Sequence, residues 1–327
     1  MERIAIVNVN SFGREYPEFL KELEEKVGPV KKFKFAGDAS GLEVAKELSG
    51  YKYVILGTNP QFGAEFFEHN HDVKLLARHG LGFNNIDLEA AKQHNVYVTK
   101  EENVIEQDAV AEQAAALLHA VGKKLVLADQ MVRNKEWAVR RERLVGVQLT
   151  NMTTGVIGFG NIGQRFGEIM KCGYRNRLLA YDPFLPQEKA EECGATLCDL
   201  ETLLRESDFV SLHANLTDDS RHMINAERLA LMKPTAILVN AARGQLVDEA
   251  ALVQALKEHR LGGYGADVAT HEPIEDDNEL LSLEQVVMSP HVAVYNMECT
   301  RNMNRKVMED IYLMEAGEKP KVIVNGL

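Results

Sequence analysis

Several things are scarce in this chain of 327 residues, and each scarcity excludes something. There are four cysteines, Cys172, Cys193, Cys198 and Cys299, and none forms a CxxC pair. Zinc-ligand spacing is absent, so no structural metal is expected, and small core-filling thiols of a reducing compartment are the expected role. No apolar run approaches the 18 or so residues that would span a bilayer, which argues against a membrane partner. The opening Met1-Glu2-Arg3 passes into Ile4-Ala5-Ile6-Val7, a run too short for a signal peptide, so a cytoplasmic protein is expected. Positive charge is also in deficit. Lys and Arg number 37 against 49 Asp and Glu, a net charge of -12. Duplex-binding proteins rely on basic patches that displace phosphate counterions, so nucleic acid is not the expected partner.

What is present is a globular composition, 45% apolar and 26% charged, long enough for two domains. Short apolar runs alternate with helical periodicity. Strands are expected at Ile4–Val9, Tyr53–Leu56, Val73–Ala77 and Val96–Thr99, with helices at Glu18–Val27, Leu42–Leu48 and Leu88–His94. An alanine-rich helix over Val104–Leu127 follows, suited to lying between layers or subunits. A second series then supplies six strands, Thr154–Gly158, Arg177–Tyr181, Phe209–His213, Ala236–Asn240, Gly263–Val268 and Val286–Ser289. Helices between them include Asn161–Cys172, Leu200–Arg205, Ala226–Leu231 and Glu249–His259. Alternating strands and helices mean an α/β fold of doubly wound parallel sheets.

The first series has too few strands for a complete dinucleotide fold, and the last helix, Asn296–Ala316, has no partner strand in the second. The simplest packing returns that helix to the first series. Residues 102–294 then form a Rossmann domain inserted into a smaller flavodoxin-like domain made of 1–101 and 295–327. Hinges at the two crossovers would let a cleft open and close.

The strand Val156-Ile157 runs into Gly158-Phe159-Gly160-Asn161-Ile162-Gly163, and a helical stretch follows. In that context the glycines have separate tasks. Gly158 makes the tight turn, Gly160 admits a pyrophosphate to the backbone, and Gly163 allows close helix–strand packing. The anion would sit on the free N–H groups that begin the helix, at Asn161 and Ile162. Asp182 ends the next strand, and a carboxylate there accepts from a ribose 2′-hydroxyl and repels a 2′-phosphate. Pro183-Phe184-Leu185 supply no cation to offset it, so NAD is expected over NADP.

Three charged residues stand just past strands of the second series: Arg243, Glu272 and His291. Carboxyl ends of parallel strands line the ligand crevice, so all three can face one cofactor. Their chemistry is complementary. Histidine can donate a proton to a forming alkoxide, and a neighbouring carboxylate favours the protonated imidazole. A guanidinium can grip a carboxylate with two parallel bonds. The combination suits reversible reduction of a 2-oxo acid.

These segments also resemble a known family. The motifs are Arg78-His79-Gly80-Leu81-Gly82-Phe83-Asn84-Asn85-Ile86-Asp87, Val110-Ala111-Glu112, the glycine loop with Asp182, Val239–Asp248, and the Asp-Val…Glu-Pro and Ser-Pro-His segments. The chain resembles the D-isomer-specific 2-hydroxyacid dehydrogenases over nearly its whole length. The resemblance implies an NAD enzyme in which Arg243 holds the substrate carboxylate, His291 is the acid/base and Glu272 its partner. It implies that the Leu81 and Gly82 N–H groups cap the carboxylate from the other domain. Asp267 would hold the nicotinamide carboxamide, and His213, Asn215 and Ala241 would flank the cofactor. Asn215 stands where the family usually has proline, and Asn84 where it commonly has aspartate. Tyr295, where smaller residues are common, would shape the substrate pocket. The segment ending in Trp137 is similar to an arm that crosses a homodimer interface within residues 104–150, although Lys135 replaces a usual glycine. A core role for Trp137 is the other possibility. His79, two residues before the substrate loop, reads equally as structural or functional.

Two other functions remain compatible with these residues. Formate dehydrogenases resemble the same family but generally lack the carboxylate at Glu272. The C-terminal-binding-protein corepressors resemble it and can keep all three charged residues, so a dinucleotide-sensing role is the alternative of a different class. Asn8–Gly13 and Gly57–Gly63 contain no Lys or Arg, so an unphosphorylated 2-oxo acid is expected as substrate: pyruvate, hydroxypyruvate, glyoxylate or a branched-chain acid.

Overall fold

The computed structural model describes residues 3–327. It divides into two compact units: residues through Glu106 together with Val294–Leu327, and Gln107–Ala293. The changeover falls at Glu106 rather than at residue 101, because the first turn of the helix Asn103–Gly122 belongs with the C-terminal helix. There the Cys299 thiol donates to the Ile105 carbonyl at 3.5 Å.

The first unit is a five-stranded parallel sheet. Its strands are β1 (Ile4–Val7), β2 (Val30–Phe33), β3 (Tyr53–Leu56), β4 (Leu75–Arg78) and β5 (Tyr97–Thr99), in the order β2-β1-β3-β4-β5. That is the flavodoxin-like order. β1, β3 and β4 are buried at every position, as strands covered by helices on both faces must be. β2 was not evident from the sequence. It is an edge strand, Val-Lys-Lys-Phe, and its two lysines face solvent. The helix Met297–Glu315 packs Val307, Met308 and Ile311 against Ile4, Ile6, Tyr53, Ile55, Leu75 and Ala77 on one sheet face.

The second unit is a seven-stranded parallel sheet, one strand more than expected. Its strands are β6 (Thr153–Ile157), β7 (Arg177–Tyr181), β8 (Thr196–Leu197), β9 (Phe209–Leu212), β10 (Ile237–Asn240), β11 (Gly263–Ala266) and β12 (Val286–Met288). The order β12-β11-β10-β9-β6-β7-β8 is a doubly wound Rossmann sheet with its reversal between β6 and β9. The additional strand is the two-residue β8 at one edge. Alternate residues of β6 and β7 divide between two cores, Ile157 and Leu179 on one face and Val156, Leu178 and Ala180 on the other.

The alanine-rich helix differs from expectation. It ends at Gly122, and a new helix, Leu125–Arg133, starts after Lys124 enters the left-handed region at φ 54°. The cause is a returning segment. Val147 N–H donates to the Gly122 carbonyl at 2.8 Å, and the Lys123 ammonium donates to the Val147 carbonyl at 2.9 Å. A Cβ on Gly146 would lie 2.3 Å from that same Gly122 carbonyl oxygen. The small residues explain the helix position. Strand β11 reads Gly-Tyr-Gly-Ala, and a Cβ on Gly263 or Gly265 would meet Val121 or Leu117 at 2.4 and 3.1 Å. The helix expected over Asn161–Cys172 is α-helical only to Glu168 and finishes as a π turn, Ile169–Gly173.

Candidate active site

In the Gln107–Ala293 unit the site is assembled at the carboxyl ends of β6, β7, β9, β10, β11 and β12. After β6, Gly158 takes φ +84°, and a Cβ there would lie 2.5 Å from the Ala214 nitrogen. A Cβ on Gly163 would lie 2.1 Å from the Gly158 carbonyl oxygen, so this glycine lets the helix sit on the turn. Gly160 is different: a Cβ there meets nothing within 4 Å. The middle glycine therefore faces open space, the place a pyrophosphate needs. It is also the N-cap of the helix Asn161–Glu168. Gln164 N–H returns to the Gly160 carbonyl at 2.8 Å, and the N–H groups of Asn161, Ile162 and Gly163 before it have no intrahelical acceptor.

Asp182 follows β7 and is bound to this loop. One carboxylate oxygen accepts from Phe159 N–H at 2.9 Å and the other from Phe184 N–H at 3.0 Å. Each oxygen keeps acceptor capacity for a ribose hydroxyl. These features fit a dinucleotide. His213, after β9, accepts or donates through Nε2 to the Ser211 hydroxyl at 2.8 Å. Loss of water around it pushes its pKa down to about 3, so it is a neutral ring. Asn215 is exposed, and its carbonyl accepts from Ser220. Ala241 follows β10 directly and is half-buried.

Arg243 lies two residues beyond Ala241. Its carbonyl accepts from the Asn240 side chain at 2.9 Å, and its guanidinium donates to the Ala242 carbonyl at 2.7 Å. Gly244 brings this loop against the one after β11, where a Cβ would lie 2.1 Å from the Ala269 carbonyl. That approach brings the Arg243 charge to bear on Glu272. Glu272 accepts from Ala269 N–H at 3.1 Å with one oxygen and pairs with His291 Nδ1 at 2.7 Å with the other. Burial alone would push its carboxyl up. The His291 bond and charge, the Ala269 N–H and the Arg243 charge together outweigh burial and hold it below the usual range. Glu272 is thus a carboxylate at neutral pH. The other nitrogen of His291, Nε2, meets no protein partner among the described residues.

His291 is held by its own backbone. It adopts φ 55°, with its N–H on the Asp267 carbonyl at 2.8 Å. The Asp267 side chain is almost wholly buried and gathers the same loop. It accepts from the Ser289 hydroxyl at 2.5 Å, Val292 N–H at 3.1 Å and Ala293 N–H at 2.8 Å. Asp267, expected beside the cofactor, thus also builds the loop that carries His291, a role its sequence position alone does not show. The signal was the four-residue run Ser-Pro-His-Val after a short strand.

In the other unit, Leu81 and Gly82 follow β4 in a loop of their own, and neither N–H has a protein acceptor among the described residues. His79 is buried, bonds Asn304 through Nε2 at 2.8 Å and lies edge-on to Phe12. Burial pushes its pKa down to about 4, which makes it a neutral structural ring. Tyr295 is 54% exposed. Trp137 is 74% exposed, which rules out a core role. Cys299 is buried but Cys172 is exposed, so the thiols do not all fill the core.

A dinucleotide cradle whose sheet also presents an imidazole–carboxylate pair and a guanidinium defines a dinucleotide-dependent oxidoreductase. The profile of the D-isomer specific 2-hydroxyacid dehydrogenase NAD binding domain matches residues 115–293. The glyoxylate reductase of Thermococcus litoralis is 40% identical over 266 residues, 80% of each chain. Among solved structures, D-lactate dehydrogenase from Escherichia coli superposes with a TM-score of 0.84 at 30% identity, covering 98% of this chain and 99% of that one. D-lactate dehydrogenase from Aquifex aeolicus, complexed with NAD and lactic acid, gives 0.84 at 25% identity over 99% of each. The chain belongs to the D-isomer specific 2-hydroxyacid dehydrogenase family. It is an NAD-dependent 2-hydroxyacid oxidoreductase. No helix among the described residues is long and apolar enough to cross a membrane.

Proposed function

We propose that the protein reduces a small, unphosphorylated 2-oxo acid to the D-2-hydroxy acid, and runs reversibly, with His291 as acid/base. The observation that carries this reading is the His291–Glu272 pair at 2.7 Å, with Nε2 of the same ring left for a substrate. When bound, the nicotinamide supplies or accepts the hydride at C2. His291 Nε2 donates the proton to the substrate oxygen on reduction and takes it back on oxidation. Glu272 stays ionised and steadies the imidazolium. Arg243 binds the substrate carboxylate through two guanidinium N–H groups. Leu81 and Gly82 N–H supply further donors to that carboxylate. Gly158, Gly160, Asn161, Ile162, Gly163 and Asp182 hold the dinucleotide, and His213, Asn215, Ala241 and Asp267 border it. Tyr295 shapes the substrate site.

Relatives at 40% identity are named glyoxylate reductases, which makes glyoxylate the first substrate to assay. The test is NADH oxidation on a panel of glyoxylate, hydroxypyruvate, pyruvate, branched-chain 2-oxo acids and 3-phosphohydroxypyruvate, with NADPH in parallel. Turnover of an unphosphorylated acid with NADH is expected. Tight NADH binding without turnover on any acid would replace the enzyme by a dinucleotide sensor. A best kcat/KM on 3-phosphohydroxypyruvate would overturn the unphosphorylated substrate. The protein also pairs with a second copy of itself through residues 104–150. This is supported by Val104, Leu125, Val132, Trp137, Val139 and Val145, all about half exposed or more. Sedimentation at micromolar concentration checks it, and a monomer would refute it.

A further inference from the structure

Arg78 is the last residue of β4, and it is only 5% exposed. A guanidinium is rarely buried without purpose, and here the side chain curls back over the residues that follow it. Its Nε donates to the Gly82 carbonyl at 2.6 Å. Its Nη1 donates to the His79 carbonyl and reaches the Leu56 carbonyl at 3.5 Å. The carbonyl between these two, that of Gly80, accepts from Glu101 N–H at 3.3 Å. Three carbonyls of one short loop, at 79, 80 and 82, are thus turned toward interior donors.

A trans peptide points its N–H opposite its C=O. Fixing the Gly80 carbonyl inward fixes the Leu81 N–H outward. Fixing the carbonyls of His79 and Gly82 on either side leaves the peptide between Leu81 and Gly82 little freedom to turn. The two amides that result have no protein acceptor among the described residues. Gly80 confirms that the arrangement is built around the guanidinium. It takes φ +137°, and a Cβ there would lie 2.7 and 2.8 Å from Nη1 and Nη2 of Arg78. The loop can close on the guanidinium only with glycine at this place.

We infer that Arg78 is a positioning residue for substrate binding, one that holds the 79–82 loop so that the Leu81 and Gly82 N–H groups form a fixed cradle for the substrate carboxylate. The inference rests on the reading above that these two amides bind that carboxylate. Lysine cannot do the same work: an ammonium lacks the planar fork that spans two carbonyls at once.

The experiment has two arms. In the wild-type holoenzyme with NADH, amide resonances of Leu81 and Gly82 are followed on adding oxamate, a 2-oxo acid analogue. They should shift; if they do not, the carboxylate reading of the loop fails, and the inference with it. In the second arm, Arg78→Lys is assayed with glyoxylate. KM and the oxamate inhibition constant should both rise, by about tenfold for one charge-assisted bond lost, with kcat changed less than about threefold and NADH affinity unchanged. A merely structural role would lower activity without that split. An unchanged KM beside shifted wild-type amides overturns the role of Arg78 while sparing the loop. Arg78→Gln, which keeps a planar donor, should move KM in the same direction and serves if the lysine variant does not fold. Loss of cooperative folding in both makes Arg78 purely structural and overturns the inference.

Discussion

Two loops in this molecule follow buried parallel strands and expose backbone N–H groups, and they do so by opposite means. The loop after β6 is organised by an anion. The Asp182 carboxylate takes the Phe159 N–H, and a helix begins at once, so the exposed donors are those of a helix terminus. The loop after β4 is organised by a cation. The Arg78 guanidinium takes carbonyls, and no helix begins before Leu88. The first loop gains its donors because a helix leaves its early N–H groups unpaired. The second gains them because its carbonyls are held inward. Neither presents a titratable side chain to a ligand, and the proton chemistry proposed above rests instead on the His291–Glu272 pair.

That division is exposed to its strongest test at His291. His291→Gln should cut kcat for reduction by about 10²–10⁴-fold, with NADH affinity unchanged within about twofold. An intact kcat would remove His291 from the acid role and leave the two loops with chemistry to share. Stopped-flow reduction of glyoxylate under saturating NADH measures it.

Within the β6 loop Gly163 and Gly160 should separate. Gly163→Ala drives a Cβ to 2.1 Å from a backbone oxygen, and overpacking of that kind costs about 3 kcal/mol of stability. Gly160→Ala meets nothing within 4 Å among the described residues, so its unfolding midpoint should stay in place. Its NADH affinity should nevertheless fall by about tenfold, or 1.4 kcal/mol, because the methyl occupies the approach to the backbone. Thermal melts alongside NADH fluorescence titration distinguish the two. Equal loss of stability in both variants would mean that Gly160 is architectural as well.

Much of this was legible in the sequence. Arg243, Glu272 and His291 could be grouped because each stands just past an apolar strand, and the fold sends such positions to one edge. The glycine loop could be read because each glycine answers a different steric demand. What escaped were features set by distant segments. Nothing local to Lys124 announces that residues 146–147 return to end the alanine-rich helix. Strands β2 and β8 lie at sheet edges, where one row of hydrogen bonds suffices and the apolar signal is weak. Arg78 reads as one more charge in a motif until its guanidinium is seen to face inward.

The acidic member of the comparison has its own test. Asp182→Ala removes the carboxylate that disfavours a 2′-phosphate, so the ratio of kcat/KM for NADH over NADPH should fall by about tenfold or more, as for a charged hydrogen bond. Because Asp182 also ties Phe159, NADH affinity should weaken slightly too. A ratio that does not move would place cofactor choice on other residues.

The smallest expected effect concerns what stands behind the Arg78 loop. Glu101, whose N–H takes the Gly80 carbonyl, has a fully buried side chain with no hydrogen-bond partner on either oxygen among the described residues. Burial pushes its carboxyl well above the ordinary range. Glu106 and Asp310 add to that, while Lys306 and Arg78 oppose it. The unfolded chain ionises this acid near its usual value and the folded chain does so only at higher pH. Stability from this group is therefore full below the usual carboxylate range and is lost as pH rises through the folded value. Glu101→Gln keeps the shape without the charge. Its advantage over wild type in urea unfolding should be near zero at low pH and grow to about 1 kcal/mol at mildly alkaline pH. His79 titrates with the opposite sign, losing stability as pH falls from its ordinary value toward about 4, but it is common to both proteins and cancels in the difference. A difference that stays flat with pH would mean that Glu101 is ionised in the folded protein. The buried charge beside the loop would then act directly on the Arg78 guanidinium, and the loop would be organised by both signs of charge.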